Sequence, residues 1–383
     1  MGPETPRRAH VEVGVSRAAE PAAAAAEAAA AIPLAETCFV LAFAPSRLDP
    51  DALAAALAAR LQGVPVFGCT TAGQITERGY EVEALLLLAF PKANFRCASI
   101  LISPLNPLSL SEVAGAAKRR AESFMRTAHR KRLALLFADG LSKQEDLLIA
   151  ALETALDDVP VFGGSAGDGL DFGRTFVLHN GRAYSDAALL VLLETDLRFE
   201  GIGFDHFLPG ETALVVTEAD PDQRLVFEIN GAPAAAEYAR LVGRPVEELS
   251  PLVFAENPML VRRQRAHYVR AISDATPEGA LSFLAAIDDG LVMTLGRGRE
   301  IIETLEFGLA GAEDAPPDFI LGFECVLRRL EIEQKRLDAR VSDIFRRRRV
   351  LGFNTYGEQH RGVHMNQTFV GVAFYGPEAA GPA

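Results

Sequence analysis

With 383 residues, 49% of them hydrophobic and 23% charged, the chain is long enough for two domains and apolar enough to fill their cores, which excludes a disordered protein. A formal net charge of −13 and a pI of about 5.1 argue against general nucleic-acid binding, which runs on phosphate neutralisation.

Taken from the N-terminus, Met1–Pro6 has no apolar stretch behind a basic start, so no secretory leader is expected. A helix is predicted from about Pro21 to Ile32, because Pro suits a first helical turn and Ala has the best helix propensity. Cys38-Phe-Val-Leu-Ala-Phe-Ala-Pro45 is continuously apolar, as expected of a strand buried on both faces. Leu53, Leu57 and Leu61 then share one helical face, with Asp51 at the positive end of the dipole. Val64-Pro-Val-Phe-Gly68 reads as a second strand, running into the turn Gly68–Gly73. Ala84–Phe90, the longest clean apolar run, is far too short to span a bilayer, so no membrane association is expected.

After a helix predicted at about Leu110 to Ala128, the pattern returns. Leu133–Gly140 matches Cys38–Pro45, Asp146–Leu152 matches Asp51–Leu57, and Val159–Gly163 matches Val64–Gly68; the offset is 95 each time (38 to 133, 51 to 146, 64 to 159). One offset over three separate elements signifies a duplicated unit. The duplication, at about 38–90 and 133–193, predicts an α/β domain over 9–195 with one or two helix-covered sheets.

Beyond Thr195 the character changes. Ala213–Thr217, Arg224–Ile229, Ile272, Leu281–Leu284 and Leu291–Leu295 read as short strands, Asn230-Gly231 as a turn and Pro233–Leu241 as a helix. Phe319–Cys325 reads as a buried strand feeding a long charged helix that ends at Arg348. A second mixed α/β domain, rich in antiparallel strands, is expected over 196–376. The four cysteines (Cys38, Cys69, Cys97, Cys325) form no CxxC pair, so neither a disulfide framework nor a sequence-local metal site is expected, and a reducing cytoplasm fits.

Several segments carry chemistry. Gly68–Gly73 and Gly163-Gly-Ser-Ala-Gly-Asp-Gly169 follow strands and match neither a dinucleotide fingerprint nor a P-loop. They are either strand exits needing positive φ or, with Asp171 nearby, one wall of a ligand pocket formed by Gly163, Gly164, Ser165 and Asp168. His206, between Phe204 and Phe207, suits a haem face, the plainer reading being a satisfied loop histidine. His179 resembles a hairpin-turn residue, and His10, His129 and His267 read as surface. Arg346–Arg349 complements a helix C-terminus; its sharper reading is a site for propionates, phosphate or an acidic partner. The run Leu351–Phe374 places His360, His364, Asn366, Gln367 and Thr368 beside Tyr356 and Phe369, either as a solvated edge hairpin or as imidazole ligands with polar groups to orient them. There is no HExxH, and Gly163-Gly-Ser-Ala-Gly167, though it fits the letters GxSxG, resembles a nucleophile elbow only superficially, with a second Gly where the elbow has a variable residue. No enzyme is expected, and if the chain senses something its output must go through another chain.

Five stretches together resemble the FIST sensory proteins, an N domain followed by a C domain: Phe137–Ser142, Val159–Asp168, Val226–Pro233, Phe323–Leu330 and Phe353–Glu358. The resemblance runs from about residue 9 to 376. His206-Phe-Leu-Pro209 and Tyr356–Val372 look most like its haem-binding, nitric-oxide-sensing branch (NosP), from which the chain departs at His360, where an aromatic residue is expected, and at Gly210, where Thr is expected. The resemblance implies haem b held by His364 or His206, with His360, Tyr356, Asn366 and Phe207 around it. It further implies nitric oxide as the signal and a histidine kinase or cyclic-di-GMP enzyme as the partner in biofilm control, with homo-oligomer formation left open. The alternative is a haem-independent sensor of an amino acid or similar metabolite, with the Gly-rich turns as its pocket.

Overall fold

The computed structural model describes residues 11–263, 266–311 and 316–376, so His10 lies outside the described residues. The first unit runs β1 (Glu12–Ser16), α1 (Pro21–Ala29), β2 (Thr37–Pro45), α2 (Pro50–Leu61), β3 (Val66–Thr71), the hairpin β4 (Gln74–Thr76) and β5 (Gly79–Glu81), and β6 (Leu85–Pro91). The second repeats that order: β7 (Phe95–Ile102), α3 (Leu110–Ser123), β8 (Lys131–Ala138), α4 (Glu145–Leu156), β9 (Val161–Ser165), β10 (Val177–His179), β11 (Arg182–Tyr184) and β12 (Ala188–Thr195).

A third copy follows, interrupted. After β13 (Arg198–Phe204) comes an insert of β14 (Phe207–Asp220), β15 (Leu225–Ile229), β16 (Ala232–Pro233), α5 (Ala234–Val242), α6 (Pro251–Glu256), β17 (Met259–Arg263), β18 (Ala266–Arg270), β19 (Ile272–Ala275), β20 (Leu281–Phe283) and β21 (Val292–Gly298). The unit then resumes with α7 (Ile301–Gly308), β22 (Phe319–Cys325), α8 (Val326–Gln334), α9 (Asp338–Arg348), β23 (Val350–Thr355), the hairpin β24 (Glu358–His360) and β25 (Val363–Met365), and β26 (Phe369–Tyr375). The predicted long charged helix is therefore two helices, broken where Arg336 takes a left-handed φ of 56°. The helix predicted to reach Ala128 stops at Ser123, because Phe124 turns into the core.

The sheets show how the units interlock. Their orders are β1-β6-β2-β3-β10-β11, β7-β12-β8-β9-β24-β25 and β13-β26-β22-β23-β4-β5. Four strands of each sheet come from one unit in the same order, and the last two are another unit's hairpin. The second unit lends its hairpin to the first, the third to the second, and the first to the third, which closes a cycle. Parallel pairing among the described residues is confined to β2/β3, β8/β9 and β22/β23, one pair per unit. The insert forms its own antiparallel sheet, β18-β17-β21-β14-β15-β20-β19.

Equivalent residues do equivalent work. Phe43, Phe137 and Phe323 occupy the same position in the three units, so β2 and β8 align at an offset of 94 (43 to 137), one residue from the 95 read from the sequence. They meet in one core, with Phe43–Phe137 ring centroids 5.8 Å apart and Phe137–Phe323 6.3 Å apart. α1 and α2 cover the first sheet, α3 and α4 the second, and α7, α8 and α9 the third. In each parallel pair a glycine lets two backbones close in: a Cβ at Gly68, Gly163 or Gly352 would stand 1.9, 1.9 or 1.8 Å from the carbonyl oxygen of Ala42, Leu136 or Gly322. Gly163→Ala is therefore expected to lower stability by about 3 kcal/mol, because the obstructing atom is backbone in a close-packed sheet. Urea unfolding checks this, and an unchanged midpoint would disprove so close an approach.

Candidate functional site

The three parallel strand pairs point their C-terminal ends at one place, where loops are free to carry binding groups in α/β folds. There the units are tied in a ring of backbone hydrogen bonds. Ala72 N donates to Asn354 O (3.0 Å) and Asn354 N to Gly73 O (2.8 Å); Gly167 N donates to Thr70 O (3.1 Å); Ser165 N donates to Gly357 O (2.8 Å). Thr70, Thr71, Gln74, Ser165, Asp168, Asn354, Thr355, Glu358, Gln359, His364 and Asn366 are all buried here.

Hairpin exchange brings two of the predicted segments together. β24 pairs with β9, Glu358 opposite Gly164, Gln359 opposite Gly163 and His360 opposite Phe162. Gln359 Nε2 donates to Ser165 Oγ (2.8 Å) and to His364 Nδ1 (3.2 Å). His364 Nε2 lies 3.3 Å from the Leu284 carbonyl, so the proton sits on Nε2 and the ring is the neutral tautomer. Burial also lowers the pKa of this imidazole. Tyr356 donates to Asp168 Oδ1, accepts from Asp168 N (3.2 Å), and stacks on Phe172 at 4.6 Å. Asp168 Oδ2 in turn accepts from Gly173 N and Arg174 N (2.8 and 2.7 Å). Gly164 has a packing role as well, leaving room for Thr355, whose Cγ2 lies 2.4 Å from where its Cβ would be.

The edge hairpin is not solvated, because the insert covers it. Gln367 Nε2 donates to Ala255 O (2.6 Å), Arg270 Nη1 donates to His364 O (3.2 Å), and an apolar cluster of Ala72, Tyr356 and Cys325 with Ala255, Leu260 and Val269 seals the contact. Arg224 of the insert is buried between Glu145 and Asp146 at the start of α4, and its Nη1 donates to Leu284 O (2.7 Å). Three side-chain carbonyls of this hairpin, Gln359 Oε1, Asn366 Oδ1 and Gln367 Oε1, are buried without a hydrogen-bond partner. His360 stacks on Phe162 at 4.9 Å, its ring nitrogens likewise unpaired apart from a loose approach of the Val161 backbone, and burial pushes its pKa down to about 4.

Phe207 joins the apolar cluster that contains Tyr356, whereas His206 lies in a separate polar network, where β13 gives way to the insert. His206 is fully buried; Arg328 Nη1 donates to its Nδ1 (2.7 Å) and its Nε2 donates to Glu331 (2.9 Å), with burial pushing its pKa down to about 4. Arg328 continues the network to Glu324 (3.2 Å), which accepts from Tyr80 and Asn354. His179 ends β10, hydrogen-bonded to Ser99, and His129 is exposed. Arg346 and Arg347 close α9 in ion pairs with Asp343 and Glu306.

These surroundings do not fit a haem as they stand. Both nitrogens of His206 are engaged, and His364 is enclosed at 1% exposure with a carbonyl on its Nε2. A groove of 1180 Å³ between β13 and α7 is roomy enough, but its lining includes no histidine. No group of three His, Cys, Asp or Glu suited to a metal ion occurs among the described residues. Gln359, Glu358, Leu284 and Arg224 escaped the sequence reading. A Glu within an otherwise β-rich run was a signal for Glu358; nothing local marks Arg224.

A family model described as the FIST N domain matches residues 38–232, and one described as the FIST C domain matches residues 234–361, the two meeting inside the insert. An uncharacterized protein of Methanocaldococcus jannaschii is 21% identical over 380 residues, spanning 87% of this chain and 72% of its own length. No helix among the described residues is long and apolar enough to cross a membrane.

Proposed function

The chain belongs to the FIST family, a FIST N domain followed by a FIST C domain, and we propose that it is a sensor whose input is a small molecule rich in hydrogen-bond donors, of the amino-acid or amine class. FIST domains are sensory domains of signalling proteins. The carrying observation is the set of three buried, unpaired acceptors, Gln359 Oε1, Asn366 Oδ1 and Gln367 Oε1, on a hairpin that the insert covers. Buried acceptors are ordinarily paired, so a donor-bearing guest lowers the free energy of this cluster. The guest would enter as the insert lifts from the strand ends, and its preference for one of the two arrangements would drive the signal. Output passes to a partner chain, for which the resemblance implies a histidine kinase or a cyclic-di-GMP enzyme.

A thermal-shift screen of amino acids and amines tests the reading. A true ligand raises Tm increasingly with concentration, and Asn366→Leu, which removes one acceptor, abolishes the rise. No shift with any of them, or a shift that survives both Asn366→Leu and Gln359→Leu, would overturn it.

The second reading, haem and through it nitric oxide, rests on the resemblance and on the unpaired imidazole of His360. It requires displacement of the covering segments before any of these histidines can meet a porphyrin. A stoichiometric Soret band that His364→Ala, His206→Ala or His360→Ala removes would support it; a non-saturating spectrum indifferent to all three would reject it.

A further inference from the structure

β13 is the end strand of the third sheet, paired with β26 on one side, and no other backbone hydrogen bond among the described residues reaches 198–205. Its stretch Phe199-Glu-Gly-Ile-Gly-Phe204 holds neither Lys nor Pro, the residues that usually blunt such an edge. Gly201 and Gly203 are exposed and leave the backbone bare to an incoming strand. In the first unit the helix closes on the equivalent strand: a Cβ at Gly14 would stand 2.0 Å from the Ala28 carbonyl oxygen of α1. In the third, β13 and α7 enclose the groove of 1180 Å³, with Phe204 as its floor beneath Gly308. Glu200, Glu300 and Glu303 line it; the last two are exposed and have no ion-pair partner among the described residues, while Glu200 lies 3.8 Å from Arg198. Asp205 and Arg299, also in the lining, offset each other in charge. Phe307 on the rim is 85% exposed.

We propose that the free edge of β13 is the docking site of the output partner, which adds to it an extended segment whose basic side chains alternate with β-branched ones. Backbone pairing supplies the affinity, and the alternation of side chains across a sheet supplies the selectivity. On one face of the added strand the cations meet Glu300 and Glu303, and their aliphatic stems cover Phe307. On the other face lie Phe162 and His360 of the second sheet, where small β-branched side chains fit beside the glycines. Charge selects this occupant over a second copy of the chain, whose own β13 edge would set glutamate against glutamate in a protein of net charge −13. The edge also adjoins the hairpin of the candidate site: a Cβ at Gly201 or Gly203 would lie 3.0 Å from His360 Cε1 or Cδ2 of β24. A shift of that hairpin would therefore reach the partner directly. Taking the occupant to be the output partner rests on the sensor reading; the docking edge itself does not.

The test titrates dye-labelled peptides of Lys or Arg alternating with Val, Ile or Thr into the full chain, with no amino acid or amine present. Fluorescence anisotropy should show saturable one-to-one binding, and hydrogen exchange should slow at the β13 amides. Glu300→Lys combined with Glu303→Lys should weaken binding about tenfold, whereas Glu112→Lys on α3 should leave it unchanged. The same peptides N-methylated throughout the backbone keep their charge, cannot pair with a strand and should not bind. Equal binding of the methylated peptides reveals charge attraction alone and overturns the proposal. So does the absence of saturable binding across the set, or protection that falls elsewhere than β13. A chain that sediments as a dimer with β13 already protected, and that Phe307→Ser dissociates, assigns the edge to a second copy and overturns it too. Circular dichroism verifies that the variants fold; where one does not, the methylated peptides decide on the unaltered chain. Peptide binding alongside a ligand screen without hits would reject the proposed input and leave the docking edge standing, and the converse would reject the edge alone.

Discussion

Replacing Arg224 with alanine is expected to cost about 3–5 kcal/mol and to loosen the insert from the strand ends, the largest effect anticipated for any single side chain outside the core. Arg224 is buried, ion-paired with Glu145, 3.9 Å from Asp146, and hydrogen-bonded to the Leu284 carbonyl that also receives His364. Glu145 is itself buried, so truncating the arginine leaves a carboxylate without its cation in a place water does not reach. The same change frees the Leu284 loop, so hydrogen exchange in β24 and β25 should rise along with the fall in the urea midpoint. Arg224→Met combined with Glu145→Leu should recover most of the loss, because an apolar pair of similar volume removes both charges together. If Arg224→Ala leaves both the midpoint and exchange in the hairpin unchanged, the insert is not held by this residue.

Glu358→Gln is expected to raise stability at pH 8 and to flatten its decline above pH 5. Burial pushes the Glu358 carboxyl up from its ordinary 4.5 to about 8, and the neighbouring Glu324 adds to the shift. The folded chain thus holds a proton that the unfolded chain releases near pH 4.5. The stabilisation is complete below that value, falls as pH climbs from 4.5 to about 8 and is flat above, each unit of difference being worth about 1.4 kcal/mol. The first unit shows what an amide does in this position. Gln74 stands where Glu358 does; its Nε2 donates to Thr71 Oγ1 (2.7 Å) and its Oε1 accepts from Ala84 N (3.1 Å). Thr355 and Thr368 offer Glu358 the matching partners, so glutamine fits with its hydrogen bonds intact. Glu324, also raised by burial and flanked by Tyr80, Arg328 and Arg329, contributes a slope of the same sign in both proteins. Urea midpoints between pH 5 and 8 decide the matter, and a slope identical in both proteins would place the titrating group elsewhere.

The parts of the fold legible in advance are those whose pattern is local. Strands buried on both faces read as unbroken apolar runs, and Leu53, Leu57 and Leu61 repeat at helical spacing whatever they pack against, so the offset of 95 exposed two units and the α/β class. The third unit was hidden because the insert separates β13 from α7 and a broken pair of helices replaces one. In the third unit, Val350-Leu-Gly352 keeps the pattern of Val66-Phe-Gly68 and Val161-Phe-Gly163. The branch-specific histidines were conspicuous by residue type, yet their settings were not. His206 looked like a haem face between phenylalanines until Arg328 and Glu331 of α8, more than a hundred residues away in sequence, took both its nitrogens.

The apolar strands, the helical faces, the repeated glycines and the concentration of polar groups at Gly163–Asp168 and Tyr356–Thr368 are written in the local sequence, because each depends on a residue and its near neighbours. That these two segments share a sheet, that the edge hairpin is buried rather than wet, and that Arg224 anchors its cover follow from long-range packing alone. Those facts rest on hairpins exchanged between units and on an insert folded back over the strand ends, contacts between residues that no local pattern relates.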